Sequence, residues 1–288
     1  MISEEEFLKN YDINKYERPS VTNDVIIITT EDKIEENIRK VPRKGMQVLL
    51  VKRDEHPYLN KWAIPGGFIG IKEDIEEGAR RKLEEETGVK DVYLEQLYTF
   101  GDVDRDVRTR VISIANLALI SKDKIKRSQK NSKLKNLWFW IDKELISNEN
   151  NIKVWSLSLK SEIEDIKIKY KITECVSSDL GRKKDIEFNF IEEESTDSLA
   201  FDHYKILSMA IDRIRNKLEY TQIAFNLVPR LFTVKELQNV YEGIMGKEIQ
   251  NFRRKLGNII IETDEKIEGK PYRPAKMFKF NENWEHDF

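Results

Sequence analysis

Apolar positions along this chain fall into short runs separated by polar turns, the pattern of a sheet with a few helices packed on it. Asp24–Thr29, Met46–Lys52, Leu97–Phe100, Val111–Ile120 and Asn136–Ile141 are aliphatic, β-branched or aromatic runs that read as strands. Between the second and third, Asp74–Thr87 spaces Ile75, Ala79 and Leu83 four apart, which predicts a helix with one buried stripe. Strands flanking such a helix predict an α/β domain with a mixed sheet. In 150–200, Lys167–Ile172 and Asp185–Ile191 alternate in polarity and read as one or two hairpins inserted at the sheet edge. Asp202 stands at the cap position of a helix to about Leu218, whose Leu207, Ile211, Ile214 and Leu218 form a stripe.

After Tyr220 the pattern changes. Thr233 to Glu236 is a capping box that opens a helix, Gly246 suits a turn, and Lys247–Leu256 reads as a second helix. Ile259–Glu262 and Ala275–Phe280 then read as two strands around a loop holding Glu268, Gly269, Lys270 and Pro271. Helix, turn, helix and hairpin is the order of a winged helix–turn–helix. The division expected is an N-terminal extension over 1–20, an α/β domain over 21–220 with an inserted β segment at about 145–199, and a winged helix over 221–288.

Composition adds limits. Of 288 residues, 35% are charged and 39% hydrophobic, with 50 Lys+Arg against 52 Asp+Glu, so a globular chain with a heavily solvated surface is expected. No apolar run approaches the roughly 20 residues that cross a bilayer, no leader is legible at the N-terminus, and a cytoplasmic protein is expected. One cysteine, Cys175, cannot form an internal disulfide, and three histidines offer no Cys/His metal cluster. Charge is clustered in the tail: Lys247, Arg253, Arg254 and Lys255 stand against Glu248 alone, and Lys270, Arg273, Lys276 and Lys279 follow without an acid between them. Alone, such clusters are commonly solvated surface. On a helix–turn–helix and its wing they form an anion-binding face, with Lys247, Gln250, Asn251, Arg253, Arg254 and Lys255 as candidate base or phosphate contacts and Lys270, Arg273 and Lys276 as phosphate contacts.

The segment that carries chemistry starts at Gly66-Gly67. Gly67 is followed after five residues by Glu73, and after seven more by Arg81-Lys82-Leu83-Glu84-Glu85-Glu86-Thr87-Gly88-Val89. This resembles the Nudix box, a glycine loop leading into a helix with clustered glutamates, and so implies the Nudix α/β/α sandwich. In that resemblance the glycines let backbone approach a diphosphate, Glu73 and Arg81 pair to lock loop to helix, and carboxylates on one helical face hold divalent cations such as Mg2+. Positions 82, 85 and 86 share that face. The departure is Lys82, where hydrolases of the family resemble one another in having a glutamate. An ammonium group neither binds a cation nor serves as base near neutral pH. Glu85 and Glu86, with Glu77, are what remain as candidate metal ligands, and Lys82 is expected to pair with Glu85 and Glu86.

Downstream, Phe100-Gly101-Asp102, Arg105-Asp106 and Arg108 resemble the loop of Nudix proteins that handle ADP-ribose, and more closely that of the Nudix-related transcriptional regulators. The same regulators resemble this chain at Ala200-Phe-Asp-His203, Arg215–Tyr220, Phe232–Leu237, Asn251–Arg254 and Arg273-Pro-Ala. The resemblance covers roughly 22–141 and 200–280. It implies a transcriptional regulator that binds a palindromic double-stranded DNA operator as a homodimer and senses a nucleotide metabolite, by resemblance ADP-ribose. Arg105 and Arg108 are then expected at phosphate or ribose, Phe100 under adenine, and His56 at the rim of the nucleotide site. His203, just inside a helix start, reads as a capping or core residue. Two other readings stand beside this one: a Nudix hydrolase that tolerates Lys82, and an interaction scaffold with both sites vestigial.

Overall fold

The computed structural model describes residues 2–33, 42–125, 135–177, 183–265 and 276–284. A short helix α1 (Glu4–Lys9) precedes β1 (Ser20–Asp32), the strand on which the sheet is built. Val25 to Thr29 are all fully buried because β1 has neighbours on both sides and layers on both faces. It pairs antiparallel with β2 (Lys44–Lys52) and parallel with β6 (Val111–Leu119), and the short strands β3 (Trp62–Ala63) and β4 (Gly66–Phe68) pair with β2 and β1 respectively. Alternation then sorts its side chains: Val25 and Ile27 face helix α2 (Ile75–Thr87), while Ile26 and Ile28 face the opposite core.

Helix α2 follows the expected stripe with one exception. Ala79 and Leu83 are fully buried, but Ile75 is exposed at the first turn. The strand run at 97–100 extends to β5 (Tyr93–Phe100), which pairs with β6 at one edge. Beyond β2, the sheet continues through β7 (Asn136–Glu149), β8 (Ile152–Ser161), β9 (Ile166–Ser177) and β10 (Lys183–Phe190) as an antiparallel meander, giving the order β10-β9-β8-β7-β2-β1-β6-β5. The inserted hairpins therefore lengthen the same sheet.

Helix α3 (His203–Lys217) covers the face opposite α2 through Ile206, Leu207, Ala210, Ile211 and Ile214. A 3-10 turn at Ile223–Leu227 leads to α4 (Val234–Met245), α5 (Phe252–Leu256) and the pair β11 (Ile260–Thr263) and β12 (Met277–Phe280), which is the winged helix–turn–helix order. The second helix is shorter than the expected Lys247–Leu256. Gln238 and Glu242 of α4 hydrogen-bond the backbone of Ile249 at 3.1 and 3.0 Å, and Asn251 adopts a left-handed φ of 55°, so the chain turns through 246–251 before α5 begins. Ala275 and the loop 268–271 lie outside the described residues.

The two units share one core, which runs without interruption from Ile26 through α3 to Phe278. Helix α4 lies directly on β2: a Cβ on Gly243 would stand 2.4 Å from the Lys44 carbonyl oxygen, so only glycine allows this approach. Asn239 donates to the Pro42 carbonyl at 2.7 Å, and Arg215, near the end of α3, donates to the carbonyls of Ile244 and Lys143 and to Asp142.

Candidate nucleotide cleft and DNA-binding face

A cleft of about 270 Å³ opens between the glycine loop, α2 and the start of α3. Gly66 is there for space: a Cβ would meet the Asp24 carboxylate at 2.4 Å and the Asn23 carbonyl at 2.7 Å. Gly67 faces open space, as a backbone that must admit a ligand requires. Arg81 binds Glu73 through two hydrogen bonds of 2.7 and 3.1 Å and reaches Glu85 at 2.9 Å. Glu73 also accepts the Gly70 N–H, and the Arg81 guanidinium holds its carboxyl down to about 2. Loop and helix are thus locked by the pair that the Nudix resemblance implies.

Lys82 lies where the box would carry a third carboxylate. Its Nζ is 2.9 Å from Glu86 and 3.4 Å from Glu85, and Glu86 is almost wholly buried. The ammonium occupies the space between the two carboxylates, so the residues present do not fit the divalent cation that the Nudix fold implies. Glu77 is spent elsewhere, accepting the Asp74 N–H at 3.3 Å at the start of α2.

Of the expected ligand contacts, Phe100 and His56 do not line the cleft, and Arg105 lines it from within an ion-pair network. Arg105 is buried and held by Asp202, at 2.7 and 3.1 Å, and stands 3.7 Å from Asp24, so it lines the cleft as part of a closed network. The Asp202 carboxylate is therefore engaged by Arg105 and does not cap α3. Phe100 points into the core, edge-on to Tyr98, and does not line the cleft. His56 is exposed on its loop, and its neighbours Asp54 and Glu55 line the cleft in its place. Arg108 does line it, doubly bonded to Asp106 and 5.7 and 5.8 Å from the rings of Phe68 and Phe201. Phe201 is the aromatic that sequence reasoning missed. It has a positive φ of 51°, takes the Arg53 guanidinium at 4.9 Å, and belongs to the Ala200–His203 segment that carried a signal without a role.

The basic tail residues Lys247, Gln250, Asn251, Arg253, Arg254 and Lys255 are all exposed on the α4–α5 turn and α5. Phe252 and Leu256 anchor α5 to the core, which leaves Arg253 and Arg254 exposed. Arg253 lies 4.3 Å above the Phe278 ring, tying α5 to the wing, and Lys276 pairs with Glu262 at 2.7 Å. Lys270 and Arg273 lie outside the described residues.

Two family profiles match the chain: the NUDIX domain over residues 38–156 and the NrtR DNA-binding winged helix domain over 224–280. The ADPR responsive transcriptional repressor NtrR of Acinetobacter baylyi is 30% identical over 285 residues, spanning 96% of this chain and 88% of its own length. This chain belongs to the Nudix-related transcriptional regulators. Among solved structures, a MutT/nudix family protein from Enterococcus faecalis aligns with a TM-score of 0.68 at 26% identity, covering 97% of this chain and 94% of the other. NrtR from Shewanella oneidensis, in complex with a 27mer DNA, aligns at 0.58 with 25% identity over 91% of this chain and 93% of its own. Among the described residues no helix is long and apolar enough to cross a membrane.

In this regulator, as the sequence suggested, His203 is a buried residue at the start of α3. Its Nδ1 accepts the Ile64 N–H at 2.9 Å, and burial drives the imidazole down to about 3. The folded chain thus keeps His203 neutral where the unfolded chain would protonate it. Because the folded value is depressed, the resulting stability is complete above pH 6.5 and is lost as pH falls toward about 3. Glu73 acts in the same direction below its ordinary range, whereas burial raises Asp24 and opposes both. Between about pH 6 and about pH 4 the His203 contribution amounts to roughly 2–3 kcal/mol. His203→Gln, whose amide oxygen can still accept from Ile64, should flatten the acid limb of the thermal midpoint against pH. An unchanged limb would assign the acid sensitivity to another group.

Proposed function

We propose that this chain is a DNA-binding repressor whose Nudix cleft receives ADP-ribose, or a closely related nucleoside diphosphate, as an effector rather than as a substrate. The observation that carries this reading is Lys82 seated between Glu85 and Glu86 while the rest of the box is intact. Lys82, which lines the cleft, offers diphosphate oxygens a fixed ammonium donor without Mg2+, yet it offers no ligand set that would activate water. The repressor name of the Acinetobacter relative and the DNA complex of the Shewanella regulator support the DNA-binding half. One winged helix contacts few bases, so a homodimer on a palindromic operator is the form that gives useful specificity.

Helix α3 supplies the route between the two sites. Its first turn carries His203 beside the Arg105–Asp202 pair at the cleft, and Arg215 near its end holds the α4 carbonyl of Ile244. A helix of 15 residues is a rod of about 22 Å, so tilting one end displaces the other. An effector can regulate only by binding the DNA-bound and DNA-free forms unequally.

Titration with ADP-ribose in the presence of a chelator tests this. At a concentration about 100 times Kd the ligand should add about 2.7 kcal/mol of stability, raise the thermal midpoint by several degrees, and change the affinity for operator DNA. Stabilisation with unaltered DNA affinity would make ADP-ribose a ligand without a regulatory role. If the midpoint does not move, the effector is a different molecule.

A further inference from the structure

The cavity in the winged helix is larger than the Nudix cleft. It measures about 530 Å³, within the range of roughly 300–1,000 Å³ typical of small-molecule sites. It lies between the C-terminal end of α3 and the inner side of α5, far along the chain from the glycine loop. Its apolar lining includes Phe225, Ile249, Phe252 and Trp284, surfaces suited to a flat hydrophobic body.

Charged and polar side chains give it polarity. Lys247 and Lys255 both line it, and neither ammonium has an ion-pair partner among the described residues. Among the described residues Glu219 is the one carboxylate in the lining, against the two ammonium groups. Tyr241 also lines it, and its hydroxyl has no hydrogen-bond partner among the described residues yet is not sealed from solvent. Burial pushes that phenol up to about 12, so it remains a neutral donor.

We infer that this cavity is a second ligand site, for a small molecule with a flat apolar body and an anionic group. The apolar wall takes the body, while Lys247, Lys255 and the Tyr241 hydroxyl take the anion. Phe252, Lys255 and Leu256 belong to α5, and Leu218 belongs to the end of α3, so a molecule bound here touches both the DNA-reading helix and the helix that leads to the Nudix cleft. Occupancy therefore changes DNA affinity. That consequence rests on the DNA-binding reading above, whereas the ligand site does not.

Anilinonaphthalene sulfonate, a flat apolar anion, serves as the probe with the full-length protein. The expected result is saturable binding at one probe per chain, weakened at least about tenfold by Lys247→Gln combined with Lys255→Gln. Ile249→Trp, which fills the cavity without removing a charge, should abolish binding as well. In wild type, saturating probe should change DNA affinity by about fivefold or more, and the Ile249→Trp protein should bind DNA but ignore the probe. Probe affinity indifferent to both sets of substitutions would overturn the site, as would failure to bind because a second copy covers the cavity. Probe binding that obeys the substitutions while the wild type retains no DNA at all would uphold the site and refute the DNA-binding reading instead.

Discussion

A chain with Arg253→Ala and Arg254→Ala should lose retention of an operator fragment at physiological salt. Both side chains are exposed on α5, the helix whose inner face is fixed by Phe252 and Leu256, and among the described residues neither is paired with an acid. In a helix–turn–helix this is the element that enters the major groove, where arginine reads guanine or holds phosphate. If both contact phosphate, the plot of log affinity against log salt should become shallower by about 2, since each lost contact withdraws about 0.9 of slope. The thermal midpoint will not be untouched, because Arg253 also lies over Phe278 and a cation–π contact of this kind contributes about 0.5–1 kcal/mol. Arg254→Ala alone should spare stability and still weaken binding. Retention equal to wild type in the double variant would remove α5 as the DNA-reading element.

Much of this site was legible because its chemistry depends on spacing within one segment. The glycine loop, Glu73, Arg81 and the three positions on the α2 face lie within 21 residues, Gly66 to Glu86, and local geometry fixes their relation. The pairing of Lys82 with Glu85 and Glu86 followed from helical spacing alone. Residues that meet across the fold were less legible. Nothing local distinguishes Arg105, which bonds Asp202 from a position 97 residues away, from Arg108, which bonds its near neighbour Asp106. Phe100 and Phe201 were hard to place for a similar reason: Phe100 packs in the core, whereas Phe201, at a positive φ, lines the cleft.

The fold shows the same division. Central strands announced themselves through continuous apolar runs, and α3 through its stripe. The length of α5 did not, since the break at 246–251 comes from α4 side chains bonding the turn and from Asn251 in a left-handed conformation, neither of which a propensity argument contains. Nor did the contact of α4 with β2, for which Gly243 is the local requirement. That contact gives the regulator a shared core rather than two beads on a linker, so a change at the Nudix cleft meets a packed path to the winged helix.

Lys82→Glu should convert metal-independent ligand binding into metal-dependent binding. The substitution removes the ammonium that stands 2.9 Å from Glu86, a carboxylate whose side chain is only 4% exposed, and puts a third negative charge on the same helical face. Without cation, breaking a pair of this kind costs up to about 3 kcal/mol, so the thermal midpoint should fall by several degrees. Added Mg2+ should restore it, because carboxylates at positions 82, 85 and 86 then form a set that a hard cation can use. Lys82→Met serves as the comparison: it breaks the same pair without creating the set, so Mg2+ should not rescue it. ADP-ribose should bind the glutamate variant only with Mg2+, and slow cleavage is permitted but not required, since metal ligands alone do not position a water. Brisk Mg2+-dependent cleavage by the unaltered protein, abolished by Glu86→Gln, would show that a cation displaces the Lys82 ammonium, and the cleft would then be a working hydrolase site.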